Sequence, residues 1–327
     1  MSAIVNYRNV EAIQRAIESG ATTGDFLPSV YVIDPISRCN ISCVMCPNSR
    51  MAQSQFGEIS LEVFTDIVKS ISPYAEFVML YWMGEPLLHS SFSELMKVAR
   101  EHIRGKIVVS SNMTVYDEHT YQSLAENADI VLACIDRWDK AAYEKIRRGA
   151  KFDVVVENTK LLLAACQASE SRCQVVVKGL DIKHDSVEYE AFHDHWEQLG
   201  AKPLLAWLNT WASTMPGVRN AAQLAVPRES DLRVPCADLW FKMVLDWQGR
   251  TQMCCFDWQY ANQVSDKRGE DWLKRVWHGE RMLALRKMHI EENYQMNTLC
   301  RRCDSWGEPN EHLAYTSWSD DSYFIVF

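Results

Sequence analysis

An open, partial (βα)6 barrel of the α/β class, with a small α+β domain behind it, is the fold this sequence predicts. Two observations carry that expectation. Apolar strand patterns and amphipathic helix patterns alternate six times between residues 29 and 208, and the alternation then stops at about residue 215. Six units fall short of the eight that close a full barrel, so the parallel sheet should stay open on one side and leave room for a substrate.

Composition narrows the function. The 327 residues are 47% hydrophobic and 24% charged, which suffices for a sizeable core. A formal charge of -9 speaks against nucleic acid or an anionic membrane as partner, because both recruit basic patches. A small polar substrate fits better. No apolar run reaches the roughly 18 residues of a membrane span, and the N-terminus lacks a signal-peptide pattern. Eleven cysteines is an odd number for a secreted disulfide framework. The expected location is cytoplasmic, where thiols stay reduced and open to metal.

The elements follow in order. Residues 1–28 read as a leader with one helix, capped by Asn9, burying Val10, Ile13 and Ile17 and ending at Gly20. No domain-sized segment for recognising a peptide is expected before the barrel. The barrel spans residues 29–215, with strands expected at 29–33, 76–81, 106–110, 130–135, 174–180 and 203–208. Between them the 3.6-residue period marks helices at 61–71 behind Ser60, 91–103 with Ser91 and Glu94 as a capping box, 117–126, 152–165 and 187–199.

Beyond a Ser/Pro/Gly-bearing linker at 212–219, residues 216–310 form the expected second domain. Two strands, 238–247 and 249–255, meet at the turn Asp246-Trp247-Gln248-Gly249, and a helical stretch covers 271–290. Residues 311–327 are an apolar and aromatic tail.

The stretch that organises the chemistry is Cys39-Asn40-Ile41-Ser42-Cys43-Val44-Met45-Cys46, a C-x3-C-x2-C loop directly after the first strand. Three thiolates can hold three irons of a [4Fe-4S] cluster and leave the fourth iron open; the bare spacing also fits part of a zinc site. One strand later comes Trp82-Met83-Gly84-Glu85-Pro86. The third strand ends at Ser110-Ser111-Asn112, and the fourth leads into Ala133-Cys134-Ile135-Asp136-Arg137 with Tyr143 and Arg147 downstream.

Together these motifs resemble the radical S-adenosylmethionine (SAM) superfamily. The resemblance implies that Cys39, Cys43 and Cys46 hold a SAM-binding [4Fe-4S] cluster and that Met45 takes the place of the aromatic residue that packs on the adenine. It gives Gly84, Glu85 and Pro86 to the methionine end of SAM, with Met83 standing where a first glycine is usual, and Ser111 and Asn112 to the ribose or substrate. Cys134 replaces an expected serine, and a buried strand cysteine reads equally as packing. His89 reads as a substrate base or a hydrogen-bonded surface residue. Trp207 and Trp211 read as a substrate floor or as packing.

Further thiols recur at Cys236, Cys254, Cys255, Cys300 and Cys303. From spacing alone they suit zinc or a second [4Fe-4S] cluster. With Gly249, Asp257, Trp277, Arg286 and His289 they resemble the SPASM extension of radical SAM enzymes, in its shortened Twitch form. The resemblance favours Cys236, Cys254, Cys300 and Cys303 as ligands of the auxiliary cluster. Neighbours on a strand point to opposite faces, so Cys255 is expected to be free, either as packing or as a hydrogen-atom donor.

What the resemblance implies is an oxidoreductase of natural-product biosynthesis that makes a 5'-deoxyadenosyl radical, with an electron donor such as flavodoxin or ferredoxin. The aminocyclitol dehydrogenases look most similar, the auxiliary cluster then accepting an electron from an oxidised alcohol. An epimerase using Cys255, a modifier of ribosomal peptides, and a zinc-bound adaptor without turnover are the alternatives.

Overall fold

The computed structural model describes residues 7–181, 186–207, 210–215, 233, 235–266 and 269–303. The linker beyond Met215, most of residues 227–235, the start of the leader and the C-terminal tail therefore lie outside the described residues, as does the side chain of Trp207.

Six parallel strands lie side by side in chain order: β1 (Val30–Ile33), β3 (Phe77–Met79), β4 (Lys106–Ser111), β5 (Ile130–Cys134), β7 (Gln174–Asp181) and β8 (Lys202–Trp207). Registers such as Val30↔Phe77, Val108↔Ile130 and Ile130↔Gln174 run parallel throughout. All residues of β1, β3 and β5 are buried, as expected for strands covered on both faces, and this is why they read as unbroken apolar runs.

The helices α2 (Leu61–Ile71), α3 (Phe92–His102), α4 (Glu118–Asn127), α6 (Phe152–Ala168) and α7 (Ser186–Gln198) alternate with those strands. Ser60 caps α2 by accepting from the Val63 amide at 3.2 Å, and Asp117 caps α4 by accepting from Thr120 at 2.7 Å. Their apolar stripes, among them Phe64, Ile67, Val68, Leu95, Met96, Leu124 and Leu162, meet the strand residues in one core.

Four expectations need correction. Helix α1 (Tyr7–Ser19) begins two residues before Asn9, which is therefore inside the helix and not its cap. Ser91 precedes α3 but makes no side-chain cap; the His89 ring instead takes the Ser91 amide, at 3.0 Å. A short helix α5 (Lys140–Ile146) fills a stretch that pattern reading left blank, ahead of a two-residue strand β6 (Arg147–Arg148) that pairs with β2 (Ser42–Cys43). The expected strand at 238–247 opens as a helical turn, α8 (Asp238–Phe241), and extends only over β9 (Lys242–Leu245).

The C-terminal region also adds to the barrel sheet. Strand β9 pairs in parallel with β1, and β10 (Thr251–Gln252) and β11 (Gln263–Ser265) follow antiparallel. The turn at Asp246–Gly249 forms as read, with Gly249 at φ +73° and its amide 2.7 Å from the Asp246 carbonyl. Helices α9 (Trp272–Trp277) and α10 (Glu280–Ile290) complete the region. The consequence is positional: the hairpin that leads to Cys254 is built directly against β1, the strand that leads to Cys39.

Candidate functional site

The loop that leaves β1 is tied down from three directions. Asn48 donates through Nδ2 to the carbonyls of Ser37 and Met83, each at 2.7 Å. Ser37 donates through Oγ to the Gln55 carbonyl at 2.9 Å and accepts from the Gly57 amide at 2.8 Å. The β2/β6 pair sets Cys43 opposite Arg147, and the Val44 amide reaches the Ile146 carbonyl at 2.9 Å. The Trp211 indole donates to the Met45 carbonyl at 2.9 Å, so the end of the barrel also grips the loop.

The three thiols fit a cationic cluster. Burial pushes Cys43 up to about 12 and Cys46 up to about 11, neighbouring thiols add to the effect, and Arg147 is a cation that pulls both down. Cys39 is raised by burial too, while the Asn112 amide, 3.7 Å from its sulfur, works the other way. Three buried thiols beside one arginine can ionise together only if further positive charge arrives, which iron supplies. Among the described residues no three His, Cys, Asp or Glu side chains converge on a single ion. A cubane takes one thiolate per iron and does not ask them to.

Gly84 is where the second motif touches the first. A Cβ there would stand 2.0 Å from the Ile36 carbonyl oxygen and 2.5 Å from that of Arg38, so only glycine permits the approach. The next amide, Glu85, donates to the Arg38 carbonyl at 2.9 Å. The buried Glu85 carboxylate accepts from Ser111 Oγ at 2.8 Å, the Asn112 amide at 2.7 Å and the Leu87 amide at 3.2 Å. Burial raises Glu85 above the ordinary carboxylate range, with these donors opposing it. Glu85 thus latches the end of β3 to the end of β4, and Asn112 reaches on to Asn40 Oδ1 at 3.0 Å.

Arg147 is the cation nearest Cys43, and Lys178 is a second cation facing Asp136 and Cys134. The Arg147 guanidinium grips Asp136 at 2.7 and 2.9 Å, with both side chains largely buried. Burial works against the charge, but Asp136, Cys43 and Cys134 outweigh it and hold Arg147 above its ordinary value. Cys134 lies 3.3 Å from Ser110 Oγ at the ends of two adjacent strands.

The distal thiols gather around α8, the turn after β10 and the last 3-10 turn. After burial, the largest cause, Cys303 and Cys300 raise Cys236 alongside Asp238, and Cys303 raises Cys300; Cys236 acts on Cys254 as well. Cys254 and Cys255 lie past the end of β10, in a turn, so the strand-alternation argument that set them on opposite faces does not apply. Each of these two thiols acts on the other. That interaction lowers Cys255, which the Lys242 ammonium also pulls down, and raises Cys254 together with burial.

Aromatic side chains fill the seam between the two thiol groups. Trp82, next to the Gly84 turn, donates its indole N–H to the Cys255 carbonyl at 2.6 Å and packs on Tyr260 at 5.4 Å. Trp211 meets Phe256 edge-on at 6.2 Å, and Trp258 donates to Thr214 at 2.9 Å. Met51, Met83 and Trp258 form the centre of this second apolar cluster. The seam was legible only in part: Trp211 carried a substrate-floor reading, whereas Trp82, Phe256 and Tyr260 have no spacing signal.

His89 is a buried structural residue and not a surface one. Its Nε2 lies 2.8 Å from the Ile59 carbonyl while Nδ1 accepts from Ser91. Sequence reading missed Asp34. It is fully buried after β1, accepts from the Met83 amide at 3.2 Å, and is pushed up to about 7 by burial, with Asp246 adding to the rise. Among the described residues its Oδ2 has no hydrogen-bond partner.

Comparison with known proteins gives two domain matches. A family model described as the radical SAM superfamily matches residues 33–180, and one described as an iron-sulfur cluster-binding domain, SPASM, matches residues 236–304. An S-adenosyl-L-methionine-dependent 2-deoxy-scyllo-inosamine dehydrogenase of Niallia circulans is 27% identical over 105 residues, 31% of this chain and 42% of that protein. The matches thus span about two fifths of the length of the curated relatives.

Among solved structures, BtrN in complex with AdoMet and 2-DOIA superposes with a TM-score of 0.57 at 17% identity, covering 86% of this chain and 95% of the other. SuiB of Streptococcus suis bound to the precursor peptide SuiA gives a TM-score of 0.63 at 12% identity, covering 83% and 69%. At these identities the structures bear on the fold alone, which is that of the α/β sheet described above.

Proposed function

This chain carries a radical SAM domain followed by a SPASM domain, and from that premise we propose that the enzyme oxidises an alcohol on a small polar ring of the aminocyclitol or sugar type. A SAM-binding [4Fe-4S] cluster and an auxiliary iron-sulfur cluster belong to these domains, so zinc is not the resident metal. The observation that carries the substrate reading is the seam, where the single side chain of Trp82 spans from the Gly84 turn to the carbonyl of Cys255. A substrate bordered by Trp82, Trp211, Phe256 and Tyr260 would have to be a compact ring presenting C–H faces or an ammonium group to aromatic rings. The likeness to a 2-deoxy-scyllo-inosamine dehydrogenase supports the same reading.

When bound, the clusters and SAM supply a radical that takes a hydrogen atom from the carbinol carbon and an acceptor for the electron released as the hydroxyl proton leaves. The chain's own residues do the rest. Cys39, Cys43 and Cys46 hold the SAM-side group, and Arg147 offsets the thiolate charge from one side. Gly84 lets the motif backbone close on the cluster loop, while Asn112 links that loop to the strand end. Cys236, Cys254, Cys300 and Cys303 hold the auxiliary group. The aromatic seam keeps water from the radical.

Cys255 presents its carbonyl to Trp82, and its thiol lies beside Cys254 and the Lys242 ammonium, away from that contact. A hydrogen-atom donor needs a free S–H facing the substrate, so dehydrogenation is favoured over epimerisation. Turnover in deuterated water separates the two. The expected product is a ketone, still formed by Cys255→Ala; solvent deuterium at an inverted carbon, lost in that variant, would establish the epimerase.

A further inference from the structure

Two ring contacts single out His289 at the distal site. Its Nε2 stands 3.4 Å from the sulfur of Cys300, and its Nδ1 lies 3.1 Å from the backbone nitrogen of Cys236. The second contact decides the first. A backbone amide can only donate, so Nδ1 must accept, and in a neutral imidazole the proton then resides on Nε2. What faces the Cys300 sulfur is therefore an N–H.

The ring is also held in orientation. Tyr294 meets it edge-on at 5.1 Å, and Arg233 covers the Tyr294 ring at 3.8 Å. Arg233 donates to the Cys300 carbonyl at 2.7 Å, and Asn297 Oδ1 accepts from the Cys300 amide at 3.0 Å. Asp257 acts on Cys300 in the opposite electrostatic sense. By contrast, the amide donor at the SAM side, Asn112, stands 3.7 Å from its sulfur.

We infer that His289 is a positioning residue whose Nε2–H donates to the Cys300 sulfur and makes the auxiliary cluster easier to reduce. The inference rests on the reading of Cys236 and Cys300 as ligands of that cluster. A thiolate sulfur carries more negative charge after its cluster gains an electron, so an N–H···S bond stabilises the reduced state more than the oxidised one. The bond would thereby raise the reduction potential of the site that must accept an electron from the substrate. Because the same ring ties Cys236 to Cys300, it also keeps two ligands from different segments in register.

Anaerobically reconstituted wild-type, His289→Leu and His289→Gln enzymes should be titrated potentiometrically by electron paramagnetic resonance, with iron counted in each. The expected result is a lower auxiliary potential in His289→Leu, substantial recovery in His289→Gln, whose amide N–H can reach the same sulfur, and an unmoved SAM-side potential. An unchanged auxiliary potential in His289→Leu at full iron, or equal shifts in both variants, would overturn the inference. Should His289→Leu lose iron, electron-nuclear double resonance of the reduced wild type in water and deuterated water decides. A strongly coupled exchangeable proton retained by His289→Gln supports the bond, and its absence from wild type refutes it. Cys300→Ala tests the underlying reading separately: loss of auxiliary iron upholds it, whereas full iron in that variant would remove the ligand assignment and the inference together.

Discussion

Gly84→Ala should lower deoxyadenosine formation by on the order of 100-fold, the penalty typical of displacing a reacting group by about 1 Å. The reason is steric. The added methyl would sit 2.0 Å from the Ile36 carbonyl and 2.5 Å from the Arg38 carbonyl, both backbone atoms that cannot swing aside. The cluster loop and the Gly84-Glu85-Pro86 turn must then separate, which breaks the Glu85 amide contact to Arg38 and slackens the hold of Asn48 on Met83. Iron content should survive, since Cys39, Cys43 and Cys46 sit on one loop, which the β2/β6 pair still anchors when the turn is pushed away. Rates measured under saturating reductant test this directly. A variant that cleaves SAM at the wild-type rate would show that the close approach has no catalytic purpose.

Arg147→Met is the second large effect. It leaves Asp136 buried without its bidentate partner, and breaking one side of a buried ion pair costs roughly 3–5 kcal/mol. It also removes the cation facing Cys43 across the β2/β6 pair. Thermal unfolding should fall accordingly, and iron should drop from about eight to about four per chain as the SAM-side cluster is lost and the auxiliary one stays. Asp136→Asn combined with Arg147→Met should recover part of the stability, because the carboxylate that lost its bidentate partner is then neutral. Recovery of stability without recovery of SAM-side iron would separate the electrostatic role of Arg147 from its structural one. Full iron in Arg147→Met would contradict the role given to it here.

The barrel was legible because strands buried on two faces and helices buried on one have distinct periods, and α2 was read to the residue from Ser60 and its apolar stripe. Cysteine spacing made both thiol groups visible for a similar reason, as few residue types are so constrained by chemistry. Three features were hidden by their physics. The β9 hairpin reads as a separate unit, since nothing local signals that Lys242–Leu245 pairs with Val30–Ile33 more than two hundred residues away. The turn at Cys254-Cys255 reads as strand from sequence, whereas β10 ends after only two residues. The seam, with Asp34 beneath it, depends on side chains from distant segments and has no period at all. Arg147 was marked only as part of a downstream motif, and its position opposite Cys43 comes from a two-residue strand too short to announce itself.

The central claim is that hydrogen is taken from the carbinol carbon of a small ring seated between the two thiol groups. Anaerobic turnover with an aminocyclitol deuterated at that carbon, compared with a panel of peptides, tests it most directly. Deuterium should appear in deoxyadenosine in step with ketone formation. Deoxyadenosine free of deuterium with every aminocyclitol, alongside label transfer from a peptide carbon, would contradict it.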